Sequence, residues 1–105
     1  MTTLKTVEQA KNQIAKLQAF VDLVEDYQAE TLEQQIIKEY AYLGSLTKVA
    51  EKVNRLGYSI DGRPYEGTDI SFVIKGKGND ELHKVIRSGY LRKTRHTRRK
   101  IEQFY

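Results

Sequence analysis

Cysteine is absent, which excludes disulfides, a thiol nucleophile and cysteine-ligated zinc. Histidine is scarce, since His83 and His96 are the only two and form no clustered pair of metal ligands. No apolar run approaches the length of a membrane span, and the polar start MTTLKTVEQAK lacks the apolar stretch of a signal peptide. The expected location is therefore cytoplasmic, with nucleoid association if the protein binds DNA. A Gly-rich phosphate loop is also missing, because Gly76-x-Gly78 follows no buried strand and precedes no Lys-Ser/Thr pair. Acidic residues converge nowhere convincingly. Asp26, Glu30 and Glu33 could share a helical face, but that pattern reads as a solvated surface rather than a metal site. No catalytic residue, metal, cofactor, small-molecule substrate or membrane partner is expected.

Arginine is missing from the whole first half. Residues 1–53 hold six lysines against eight acids, for a charge of −2, whereas residues 54–105 hold twelve Lys and Arg against six acids, for +6. Such a partition suits a chain whose first part meets protein and whose second part meets a polyanion. A chain of 105 residues builds only a modest core, so oligomerisation is a natural way to bury more surface.

Glycine and proline are absent between Thr6 and Gly44, which predicts a largely helical segment over residues 6–43. Thr6 with Gln9, and Thr31 with Gln34, are spaced as capping boxes. Val7, Ala10, Ile14, Leu17, Val21 and Val24 recur at alternating steps of three and four, the a/d seam of a coiled coil, flanked by Phe20 and Leu23. A second apolar register begins at Leu32 and continues through Ile36, Ile37, Tyr40 and Leu43. The shift allows either one bent helix or two helices broken near residues 29–31. A helix as short as the seam is marginal alone. It therefore needs a partner, either the rest of its own chain or a second copy.

Leu46 to Lys75 reads as two short helices separated by a glycine-containing turn. Leu46, Val49, Ala50, Val53 and Leu56 form one apolar face, with Ser45 as N-cap and Gly57 as stop. The second helix carries Ile70, Val73 and Ile74 on its buried stripe, with Thr68 as its expected cap. Asp61-Gly62 is the tip of a small hairpin or wing within the turn. Beyond Gly76, Asn79 or Asp80 is expected to cap a helix through Leu82, Val85 and Ile86 that stops near Gly89. The tail then crowds Arg92, Lys93, Arg95, Arg98, Arg99 and Lys100 into nine residues.

The run Val49-Ala50-x-x-Val53-Asn54-x-x-Gly57, the turn Gly62-Arg63-Pro64-Tyr65 and the pattern Ile70-x-x-Val73-Ile74 together resemble the helix-turn-helix domain at the C-terminal end of serine recombinases and in related phage and mobile-element regulators. The resemblance covers about thirty residues. The connection between the helices is longer than in the simplest motif. The first serine of the chain is Ser45, so the catalytic half of a recombinase has no counterpart here.

The expected architecture is mainly α: a helical, coiled-coil-like dimerisation arm (1–43), a helix-turn-helix domain with or without a small wing (44–91), and a basic tail (92–105). The expected function is sequence-specific binding of double-stranded DNA by a homodimer that regulates transcription or replication of a phage or mobile element, without enzymatic activity. Thr68, Asp69, Ser71 and Phe72 would read base edges in the major groove. Phe72 and Asp69 have structural alternatives, as a core side chain and as a helix-start residue favoured by the macrodipole. Lys48, Arg55, Arg63, Lys75, Lys77 and the tail cations would contact phosphates, releasing counterions without reading sequence. Tyr65 is expected as an aromatic plug between the helices, and Tyr58 as a turn residue that packs. Two other readings stay open: a protein-interaction adaptor or inhibitor using the Val7 to Val24 seam, and an RNA or single-strand binder using the tail.

Overall fold

The structure, a computed structural model, describes residues 6–78 and 80–102, with side chains as far as Arg95. Five helices account for its regular structure: α1 (Val7–Asp26), α2 (Leu32–Leu43), α3 (Leu46–Arg55), α4 (Gly67–Lys75) and α5 (Glu81–Glu102). No strand occurs among the described residues.

The helix starts follow local capping chemistry. Thr6 Oγ1 accepts from the Gln9 N–H at 3.1 Å while Gln9 Oε1 accepts from the Thr6 N–H at 2.9 Å, and Thr31 and Gln34 repeat this reciprocal pair at the head of α2. The second box decides between one helix and two. Thr31 takes an extended conformation, so residues 27–31 break the helical run and the chain turns before α2. Gly44 closes α2 and Gly57 follows α3, both at positive φ, +64° and +96°, where a side chain would be strained.

Two expected ends are corrected. The N-cap of α4 is Glu66, with Thr68 two residues inside, because Asp69 in the first turn reaches back to accept from the Glu66 N–H at 2.8 Å. The last helix does not stop at Gly89 but runs to Glu102. A mid-helix glycine costs about 1 kcal/mol relative to alanine. The surrounding residues are adequate helix formers, and no proline or left-handed glycine enforces a stop. Asp80 heads this helix, its Oδ1 accepting from the His83 N–H at 2.8 Å; Asn79, the other expected cap, lies outside the described residues.

The core is a single cluster in which Ile36 and Ile37 of α2, Val49, Ala50 and Val53 of α3, Ile70 and Ile74 of α4, and Leu82 and Ile86 of α5 are buried together. Val24 from the end of α1 joins it, with Phe20, Leu23 and Tyr27 packed at its edge. Among the described residues, the first turns of α1 are largely exposed and project as an arm. The radius of gyration, 16.4 Å, accordingly exceeds the about 13 Å of a compact chain of this size. The root of the arm is pinned by polar contacts: the Tyr27 hydroxyl donates to Asp80 Oδ2 at 2.6 Å and Lys38 Nζ donates to the Tyr27 carbonyl at 2.6 Å.

Candidate nucleic-acid interface

The first turns of α3 and α4 lie side by side, since a Cβ on Gly67 would stand 3.4 Å from Leu46 Cβ. Between the helices, residues 56–66 form an ordered crossing. Asp61 (φ 51°) and Gly62 (φ 77°) both take left-handed conformations, and Ile60 and Arg63 exchange two backbone hydrogen bonds, of 2.8 and 3.0 Å. Positive φ at both central residues is the signature of a tight hairpin turn. The ladder ends with that one pair, so the crossing is a hairpin tip and not a wing.

Asn54 holds the far side of the crossing. Its side chain accepts from the Tyr65 N–H at 2.7 Å and donates to the Tyr65 carbonyl at 3.0 Å. Tyr65 packs against the core between the helices, as expected. Two residues earlier in the chain, Arg63 closes a two-pronged pair with Asp69, Nη1 to Oδ2 at 2.9 Å and Nη2 to Oδ1 at 2.8 Å. The Asp69 carboxyl is thereby held down to about 2, first by the Arg63 hydrogen bonds and then by the Glu66 N–H. These contacts make the start of α4 rigid.

The end of α4 is held from α5. His83 Nε2 lies 3.1 Å from both the Val73 and Ile74 carbonyl oxygens, and Arg87 Nε donates to the Lys75 carbonyl at 3.1 Å. Carbonyls only accept, so the His83 Nε2 carries a proton. Together the two side chains reach the Val73, Ile74 and Lys75 carbonyls at the end of α4, of which Val73 also accepts from the Gly76 N–H.

With Ile70 and Ile74 turned into the core, the helical repeat presents Thr68, Phe72 and Lys75 on one open face. Phe72 is 80% exposed in the middle of the helix, so it is not a core side chain. The other two expected base readers are engaged within the chain: Asp69 with Arg63, and Ser71 through a 2.8 Å hydrogen bond between its Oγ and the Tyr90 hydroxyl. Asp69 combines the expected helix-start role with the ion pair. Tyr90 also stacks edge-on against Tyr40, with ring centroids 6.0 Å apart.

Lys48, Arg55, Lys75, Lys77, Arg92, Lys93 and Arg95 are all exposed, and Arg63 remains 47% exposed despite its ion pair. The side chains of Arg98, Arg99 and Lys100 lie outside the described residues, although their backbone belongs to α5. Lys52, one turn before Arg55, is paired with Glu39 of α2. Of the arm residues, Val7, Ile14, Leu17 and Val21 are exposed and Ala10 is half-buried, whereas Val24 is buried in the core of its own chain. Tyr58 is exposed in the turn.

Asn54, His83, Arg87 and Tyr90 position α4, yet the sequence reading gave none of them a role in the site. Only two had a visible signal: Asn54 stands within the recombinase-like run, and Tyr90 follows the last apolar stripe. Among the described residues, no group of His, Cys, Asp and Glu is placed to hold a metal ion, and no helix is long and apolar enough to cross a membrane. No protein-family model, curated protein or solved structure matches the chain.

Proposed function

We propose that this chain is a helix-turn-helix reader of double-stranded DNA, α3 supporting and α4 reading, and that it acts as a homodimeric regulator of transcription or replication. The observation that carries this reading is the open face of α4: Thr68, Phe72 and Lys75, solvent-exposed on a helix clamped at its start by Arg63 and Asp69 and at its end by His83 and Arg87. At 80% exposure, Phe72 contributes little to the packing of its own chain. In a major groove it would lie against a thymine methyl, with Thr68 donating to or accepting from a neighbouring base edge. Asp69 and Ser71 then act mainly as positioning residues, and reach bases only by giving up Arg63 and Tyr90. Lys48, Arg55, Arg63, Lys75, Lys77 and the cations of α5 supply phosphate contacts that fix register.

The uncovered stripe on α1 fits pairing of two copies, because one short reader helix contacts few base pairs and a second copy doubles the specific contacts. The same stripe also favours a second reading, an adaptor that captures a different protein and ignores DNA.

Selection from random duplexes at two salt concentrations tests the proposal. It expects enrichment of a common sequence and an affinity that falls steeply with salt. Phe72→Ala and Thr68→Ala should each cost about 1–3 kcal/mol on the selected site and relax preference at one position, while Lys48→Ala should weaken all sequences alike. Absence of enrichment at both salt concentrations would reject DNA reading and leave the adaptor.

A further inference from the structure

The outer turns of α1 carry an apolar stripe that its own chain leaves open, with Val7 73%, Ile14 65%, Leu17 58% and Val21 43% exposed. In heptad terms Val7, Ile14 and Val21 occupy position a, and Ala10 and Leu17 occupy position d. Every a residue is β-branched and the central d residue is leucine, the combination that selects two strands in a parallel coiled coil.

A groove of about 670 Å³ opens beside the root of this arm. Phe20, Val85 and Gly89 contribute its apolar wall, and Lys84, Arg92 and Lys93 its cationic edge. Phe20 occupies position g. In a parallel pair, g of one helix faces e of the following heptad on the other, and that residue is Glu25. In an antiparallel pair g faces g, and Phe20 would meet the uncharged Gln13. The acids of α1 are Glu8 in its first turn and Asp22, Glu25 and Asp26 near its C-terminal end, with Lys11 and Lys16 between them. Of these two pairings at Phe20, only the parallel one brings a carboxylate to the cationic edge, and charge complementarity of this kind fixes register.

We infer that α1 pairs with α1 of a second copy in a parallel two-stranded coil, with Glu25 of each copy seated beside Lys84 at the groove of the other. The inference rests on the homodimeric reading of the arm proposed above and adds its orientation and its second contact. Both bodies then sit at the same end of the coil.

Because the chain has no cysteine, Val7→Cys introduces a single thiol at an exposed first-turn position. Parallel pairing sets the two thiols face to face, whereas antiparallel pairing of a against d places Val7 opposite Val24 and separates the thiols by about 25 Å. Mild oxidation of the full-length variant should give nearly complete disulfide-linked dimer. Lys84→Glu should weaken dimerisation several-fold in sedimentation, and adding Glu25→Lys should restore it. A dimer in sedimentation that fails to cross-link overturns the parallel assignment while the dimer stands. A monomer at every concentration overturns the dimer itself. Cross-linking with no effect of Lys84→Glu removes the groove contact.

Discussion

The Asp69 carboxylate accepts two hydrogen bonds from the Arg63 guanidinium and one from the Glu66 N–H, all on the charged form. Its folded pKa of about 2 lies below the ordinary value of 3.8, so the unfolded chain takes up the proton first as pH falls. The stability this group contributes is complete above about pH 4 and is lost as pH drops toward 2. The Arg63 side of the pair is about half exposed and screened by solvent, so the contribution is modest. Asp69→Asn should therefore show a lower melting temperature than the parent at pH 7, with the difference shrinking between pH 4 and pH 2. A constant difference across that window would mean that the Asp69 charge does not hold the turn. Asn54 works without charge. Removing its amide leaves the N–H and carbonyl of Tyr65 without their side-chain partners in a half-buried site, so Asn54→Ala should cost about 1–3 kcal/mol in urea unfolding.

At the scale of elements, α4 is short and owes its orientation to its neighbours. Its core stripe, Ile70 and Ile74, was legible from apolar spacing, because burial in a helix repeats with the helical period. Its open face was legible only in part. The residues beside a stripe look alike in sequence, and what separates Ser71 from Phe72 is the approach of Tyr90 on α5, nineteen residues away. Gly89 shows the opposite error, since a strong local stop signal is overridden where Leu82, Ile86 and Tyr90 keep α5 packed on either side of it. A Cβ at Gly89 would meet nothing within 4 Å. Gly89→Ala should consequently raise stability by about 0.4–1 kcal/mol, read as a higher melting temperature; a fall would show that the glycine permits a close approach the isolated chain lacks.

Seen whole, the protein is a small four-helix body with one helix standing away from it. Ile14 and Leu17 are exposed and take no part in the core, so Ile14→Glu with Leu17→Glu should leave helix content and melting of the body unchanged. The same pair should convert a dimer to a monomer in sedimentation. It should also abolish preferential binding to paired half-sites, while single-site binding survives. Unchanged association would place the contact elsewhere than on α1.

Most helix starts and the apolar stripes were determined by the sequence alone, since each depends on chemistry within a few residues: the Thr6 and Thr31 boxes, the Ser45 cap, and the glycines after α2 and α3. Tertiary structure decided the rest. It carried α5 past Gly89, reduced the hairpin at Asp61-Gly62 to a single pair, drew Asp69 and Ser71 into internal contacts and left Phe72 outside. Those outcomes depend on which side chains from distant segments arrive at the same place, and spacing along the chain does not encode that distance.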